Sequence, residues 1–451
     1  MPGTTNRRAV RWLRGQLPEL VAAGVISSDN AKAINRHYGD VESHTNFGFV
    51  ILATIGAALV GAGIILLIAH NWDDLSRAAR TVIAFLPLLI AQALVVFVLM
   101  RRNESRAWRE VVAIFDVAAV ATAISLISQT YQIRGSFDDF MRTWLLLSIP
   151  IVYLLRTTLG AVVYIIGTLV WLDTRWSFIV GRTDNPMLFW GLLLLVVPYF
   201  WISFRRNRDS RETATLAVVL TVAAIFGLGT TADFAKSGVG CVAFAGLLTT
   251  AYLAGMKFFS QPEGERLHSL ALLGGVGIGI TAIVLSFESA WHMSRTLSWS
   301  GRNGAQNLGL AIELLFPIAA IVLAGWDLFR KQWRFSLSAT AFPIVTVIAW
   351  GMVNLCESAP EFGWQSNRCT FAAATLMNCY TLLLGVDILA RGIRSSSIAR
   401  ANFGMLLIAV LAVSRFFDSD LSFLARGLGF IVVGAGFLFA NILLFKKRVP
   451  A

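Results

Sequence analysis

From Phe47 the chain reads FGFVILATIGAALVGAGIILLIA, twenty-three residues without a charge, and comparable runs return about every 25 to 35 residues. A helix rises about 1.5 Å per residue, so roughly 20 apolar residues cross the ~30 Å hydrocarbon core of a bilayer. Only 14% of the 451 residues are charged and 56% are hydrophobic, with a mean hydropathy of +0.68. A soluble protein of this length needs more charge to cover its surface. The expected fold is an all-α, polytopic integral membrane protein.

About fourteen transmembrane helices are expected, near 46–69, 78–100, 108–128, 140–155, 158–172, 187–204, 213–232, 238–258, 268–288, 308–329, 335–354, 370–390, 399–415 and 424–445. Numbered alternately, most of the 38 Lys and Arg fall on one side, in Arg7–Arg36, Arg101–Arg109, Arg156, Arg205–Arg211, Lys257–Arg266, Arg330–Arg334, Arg391–Arg400 and Lys446–Arg448. Basic residues collect in cytoplasmic loops, which predicts both termini inside. The net charge of +12 is thereby explained by orientation, and no nucleic-acid partner is implied. Residues 1–45 are polar and basic with no apolar core, unlike a cleavable signal peptide.

Two parts follow: a cytoplasmic amphipathic helical hairpin, 1–45, and a transmembrane helical domain, 46–446. In the first, Val10, Leu13, Leu17, Leu20 and Val21 recur at helical spacing, Gly24 ends the run, and Ser27 or Ser28 can cap a second short helix through Tyr38. Thirty-odd residues bury little core, so the hairpin is expected against the membrane face, its arginines meeting anionic lipid.

The turn HNWDDLSR, 70–77, concentrates His70, Asp73, Asp74 and Arg77 between two apolar runs. Similar turns hold Gln129, Tyr131, Arg134, Asp138 and Asp139, and then Arg415 and Asp418. One reading is anchoring: acids at helix starts cap free N–H groups, aromatics sit at headgroup depth, and arginines snorkel or pair. The other makes these turns the rim of one polar cavity open to the outside. Within spans, Asp116 and Glu313 are candidates for function because an intramembrane carboxylate needs a partner or a cavity. Glu288 lies at a span end, as does Asp387, which can reach interfacial water, and Gln92, Asn354 and Asn378 are candidates to join helices. Gly56, Gly61, Gly63, the run Gly274–Gly279, Gly434 and Gly436 offer small faces for close helix contact. Cys356 and Cys369 bracket one outer loop and could form a disulfide there, while Cys241 and Cys379 stand alone in spans. No metal centre is implied, since five scattered histidines and these cysteines make no ligand set, and no cofactor motif is present.

The hairpin Leu13–Gly39, the turn AHNWDD, the stretch SQTYQIRGSFDDF (128–140) and the ending RFFDSDLSFLARGLGF (415–430) resemble the bacterial membrane proteins grouped as domain of unknown function 2157. The likeness is clearest over 10–155 and shorter at the C-terminus; between 180 and 400 only general membrane character is shared. It implies a multi-spanning bacterial inner-membrane protein with a small cytoplasmic N-terminal hairpin, and carries no activity with it.

A transporter or flippase with an outward-facing polar cavity fits the many spans, short loops and intramembrane acids best. An accessory or sensor subunit that docks membrane or periplasmic proteins through the hairpin is the alternative. An enzyme acting on a lipid-linked substrate is a third, with Asp73 and Asp74 placed as a general-base pair would be; it ranks last because the outer loops are short. Membrane lipid is the expected partner, and the sequence does not give an oligomeric state. For orientation, a cysteine placed at Asn6 is expected to resist an impermeant thiol reagent in intact cells and to react after lysis. Labelling before lysis would reverse the topology.

Overall fold

The computed structural model describes residues 7–37, 74–173, 186–259, 268–292, 303–329, 337–358, 366–395, 397–418, 431 and 434–436. Every regular element among them is helical, and the chain forms two compact units, Met1–Arg80 and Thr81–Ala451. In the first unit, α1 (Arg7–Ala22) and α2 (Ser28–His37) form a hairpin. Gly24 adopts φ +68°, its N–H meets Val21 O (3.1 Å), and the N–H of Val25 reaches Leu20 O (3.0 Å), which closes the carbonyl end of α1. Ser27 caps α2 by accepting from Asn30 N at 3.1 Å, and Leu17 is buried.

The next helices are α3 (Arg77–Arg101), α4 (Arg106–Tyr131), α5 (Phe137–Leu155), α6 (Thr158–Asp173), α7 (Met187–Leu194) and α8 (Val197–Arg206). They are followed by α9 (Arg211–Ala235), α10 (Gly240–Lys257), α11 (Ser269–Leu285), the short α12 (Glu288–His292) and α13 (Gly304–Phe329). Last come α14 (Leu337–Thr340), α15 (Phe342–Ser358), α16 (Ser366–Arg394) and α17 (Ile398–Asp418). Eight of the described helices, with α7–α8 taken as one, are long and apolar enough to cross a membrane. The sequence led to an expectation of fourteen. Two of the expected spans cannot be compared: 46–69 lies outside the described residues, and of 424–445 only 431 and 434–436 are described. The rest of the difference is physical. The apolar helices Thr158–Leu172, Ser269–Leu285 and Phe342–Cys356 stop short of 18 residues, below the roughly 20 that span a hydrocarbon core unaided. α5 carries Asp138, Asp139 and Arg142 in its first two turns.

Contacts between helix ends give the second unit a polarity. At one end Arg106 of α4 meets Glu212 of α9 (2.5 Å), Phe204 of α8 meets Phe259 after α10 edge-to-face, and Lys257 lies 5.6 Å over Trp326 of α13. At the other end Thr81 meets Tyr131 (3.0 Å), Trp190 donates to Thr231 (2.8 Å), and Cys356 is bonded to Cys369 across a Cα–Cα distance of 6.4 Å. The first end therefore gathers the arginines of the turns 101–109, 156 and 205–211. The second is rich in aromatic and hydroxyl groups.

Helices in hydrocarbon gain little from the hydrophobic effect against one another, so close backbone packing and interhelical hydrogen bonds hold them. α10 shows this on two sides. Gly246 faces the backbone of α13, where an added methyl would lie 2.2 Å from Pro317 N. Gly274 of α11 is as close to Tyr252 N (2.4 Å), and Gly255 to Ala271 N (2.3 Å). The small face expected in Gly274–Gly279 is thus a contact surface, with Gly279 turned towards Phe403 and Leu407 of α17. Gly434 and Gly436 meet nothing within 4 Å among the described residues, and Gly56, Gly61 and Gly63 lie outside them. Gly246→Ala is expected to destabilise by about 1–3 kcal/mol, because the atom it meets is backbone and cannot swing away. Gly191→Ala, with open space around it, should match or exceed the parent through helix propensity. Thermal unfolding in detergent separates them; equal melting temperatures for the two variants would refute the packing account.

Candidate functional site

The turn between α9 and α10 is buried in part, with Lys236 exposed and Gly238 half-buried. Lys236 and Gly238 take positive φ (+47° and +71°), Ser237 is fully buried and Val239 nearly so. Glycine suits Gly238 because other residues resist that conformation. Irregular backbone at membrane depth survives only inside protein or along a cavity, with its polar groups satisfied. Trp350 of α15 supplies one partner, donating from Nε1 to Gly238 O at 2.8 Å. Val239 N donates to Ser237 Oγ (3.3 Å), and Ser237 Oγ donates to the carboxylate of Glu313 on α13.

Glu313 is fully buried, nine residues into α13, and Cys241 of α10 lies within electrostatic reach of it. α10 starts beside it with no side-chain cap, so the partial positive charge of a helix N-terminus is turned towards the carboxylate. Such an arrangement can hold a proton or balance a cation. The second intramembrane acid, Asp116 of α4, is buried and accepts from Gln92 Nε2 of α3 at 2.7 Å. Gln92 thus joins two helices, as Asn378 does by donating to Ser286 O (3.1 Å) at the break between α11 and α12. Asn354 bonds Trp350 O of its own helix (2.9 Å).

The other candidates occupy separate places. Asp138 and Asp139 both pair with Arg142 of their own helix (2.5 and 2.7 Å), and Trp171 Nε1 of α6 donates to Asp138. Arg415 packs its guanidinium 4.4 Å over Phe287 and donates to Ser286 Oγ (3.3 Å). Gln129, Arg134, Asp74 and Arg77 are exposed, Tyr131 bonds Thr81, and Glu288 is half-buried at the start of α12. His70 and Asp73 lie outside the described residues, as does the side chain of Asp418. The described contacts therefore tie Asp138 and Asp139 to α5 and α6, and Arg415 to the α11–α12 break. At the helix starts serine shares the capping that was expected of the acids. Serine caps both starts: Ser76 accepts from Ala79 N (3.3 Å), and Ser136 from Asp139 N (3.2 Å). A serine hydroxyl one residue before the helix reaches the N–H of its first turn, which leaves Asp139 to bond back to Ser136 N (3.1 Å).

Glu110 was not singled out in the sequence, where it reads as surface charge in an arginine-rich turn. It is buried, and its carboxylate accepts from Thr158 N (3.0 Å) and Leu159 N (2.8 Å), capping α6 from α4. Asp387 reaches Ser338 Oγ and Arg391 (2.9 Å), so it too has protein partners beyond interfacial water. Among the described residues no three His, Cys, Asp or Glu stand close enough to hold a metal ion.

The segment that contains the Gln92–Asp116 pair and the Ser136 cap has relatives. Residues 18–159 match the family described as Predicted membrane protein (DUF2157). No curated protein and no solved structure matches the chain. The DUF2157 match runs from the hairpin into the start of α6, close to the span 10–155 that carried the resemblance. It does not reach 415–430, nor the α9–α10 turn and Glu313.

The cap of α5 yields a pH prediction. Hydrogen bonds from the Ser136 backbone and hydroxyl, with Arg142 beside them, hold Asp139 below the usual carboxylate range. A depressed folded-state pKa contributes stability above the unfolded value, near 3.9, that is lost as pH falls through the folded value. Asp139→Ala is therefore expected to melt below the parent at neutral pH, the gap closing as the medium is acidified past that range. A gap that stays constant down to strongly acidic pH would contradict the assignment.

Proposed function

We propose that this chain is a transporter of the bacterial cytoplasmic membrane, with the arginine-rich end inside and its polar path opening at the opposite, aromatic end. The observation that carries the reading is Ser237, fully buried in the α9–α10 turn, with the buried Glu313 set against it. Secondary transporters place ion sites where a helix is interrupted at membrane depth, so that helix ends and freed backbone face a buried charge. Here α10 begins directly after the α9–α10 turn, with no side-chain cap and with Glu313 beside that turn. Interruptions lie at Leu195–Val196, between α7 and α8, at Ser286–Phe287, between α11 and α12, and at Ala341, between α14 and α15. In this reading Glu313 is the coupling group: ionised, it is held by Ser237 and the α10 N-terminus; protonated, it releases the turn. The basic end matches the cytoplasmic bias of Lys and Arg, and the Cys356–Cys369 bond suits the oxidising side.

The test is proton movement into liposomes bearing the full chain, with an internal pH dye and an imposed membrane potential. The parent should acidify the lumen faster than empty vesicles, Ser237→Ala more slowly than the parent, and Glu313→Gln at the empty-vesicle rate while keeping the parent's melting temperature. Unimpaired flux in Glu313→Gln, or none in the parent, would end the proposal.

A further inference from the structure

A groove of about 760 Å³ runs along the surface of the second unit, between the C-terminal half of α5 and the break between α7 and α8. Its lining is Ile149, Pro150, Leu154, Leu194, Leu195 and Pro198, with Tyr153. Leu154, Leu194 and Leu195 are exposed. The polar groups of the break are turned away from it: Tyr153 donates its hydroxyl to Leu195 O, and Leu195 N and Val196 N reach back to Leu192 O (3.2 Å) and Leu193 O (3.1 Å). What is left is an apolar channel at membrane depth, shaped for hydrocarbon.

The groove leads to the basic end. Arg156, exposed, follows Leu154 by two residues and forms the left-handed C-cap of α5 at φ +50°. Tyr199 stacks edge-on against Tyr153, with ring centroids 5.9 Å apart, and has Thr158, Glu110, Glu212 and Arg109 around its hydroxyl. Arg109 is half-buried, and its Nε is buried with no hydrogen-bond partner among the described residues. Farther along α8 the exposed Arg205 lies 4.9 Å over the ring of Trp201, which is itself half-exposed. An aromatic at headgroup depth with arginines beside it marks the level of the lipid phosphates.

We infer that this groove binds an anionic phospholipid, one acyl chain lying between α5 and the α7–α8 break and the phosphate facing Arg156, Arg205 and the inner Arg109. Charge complementarity selects the occupant. A zwitterionic lipid offers the same chain, but its ammonium offsets the attraction to three guanidinium groups. The inference stands apart from the transport reading, since it uses neither Glu313 nor the α9–α10 turn.

Native mass spectrometry of the full chain in detergent, incubated with dioleoyl phosphatidylglycerol or dioleoyl phosphatidylcholine, tests it. The parent should retain phosphatidylglycerol in preference to phosphatidylcholine. Arg156→Gln with Arg205→Gln, both exposed, should weaken that retention by about 30-fold, from the usual contribution of a basic side chain beside anionic lipid. Arg394→Gln, at the C-terminus of α16, should leave it unchanged. Leu154→Trp, which fills the groove, should reduce binding of both lipids. Each variant is first checked for the parent's melting temperature without lipid, and any that fails is replaced by Arg205→Gln alone, expected to weaken retention by about 5-fold, or by Leu194→Trp. Equal retention of the two lipids by the parent, or undiminished retention in the double arginine variant, would overturn the headgroup assignment. Full retention in the groove-filling variant would overturn the groove.

Discussion

In hydrocarbon every backbone N–H and C=O must find its partner within the protein, and the rest of this structure is arranged around that demand. The helices of the second unit are interrupted repeatedly, and at each interruption a side chain with a hydrogen-bond donor stands ready. Tyr164 donates to Leu192 O (3.1 Å) and Tyr153 to Leu195 O. Trp350 covers Gly238 O, Trp291 covers Leu285 O (2.8 Å), Asn378 covers Ser286 O, and Tyr380 covers Ser338 O (2.9 Å). Aromatic donors suit this work because their rings pack among apolar neighbours while one N–H or O–H reaches the carbonyl. Trp291, at 1% exposure, is as buried as any core leucine and still makes that bond.

The same demand explains why the helix contacts are so close. Without a hydrophobic gain between helices, backbone approach at glycine is a main source of packing energy. Gly392 and Gly404 bring α16 and α17 together so tightly that added methyls would fall 2.4 Å from Ala401 N and 2.6 Å from Leu389 N. Gly385 adds the contact with Ile408. The glycines that cost helix propensity in water are here the residues that let two helices share a seam.

Much of this was legible in the residues. Long uncharged runs give the helices because period and length suffice, and the arginine pattern anticipates which turns share an end: Arg106 meeting Glu212 brings 101–109 beside 205–211. Cys356 and Cys369 flank one short loop and are joined. The partners of the buried acids were not legible. Gln92 lies 24 residues before Asp116, and Ser237 lies 76 before Glu313, distances over which only tertiary packing decides who meets whom. Glu110 was hidden for a different reason: a carboxylate between arginines reads as a solvated face, whereas here it closes the N-terminus of α6. The string AKSGVG (235–240) carried a usable sign, since Ser and Gly ahead of an 18-residue apolar helix make that helix start late.

The acids sort by what holds them, and the sorting bears on function. At the arginine-rich end Glu110 lies 3.7 Å from Arg106, and Asp387 lies 2.9 Å from Arg391. Opposite charge stabilises the ionised carboxylate in such pairs, and removing the partner would strand it. Inside the bundle Asp116 bonds an amide, and Glu313 bonds a hydroxyl. Amides and hydroxyls can serve a carboxylate or a carboxylic acid, since each can donate and accept. In the proposed transport reading, ion pairs keep the ends anchored while protonation changes at the polar pairs within. An apolar side chain at 313 would spare the desolvation of a carboxylate, and the fully buried Glu313 offsets that cost through Ser237 and the start of α10.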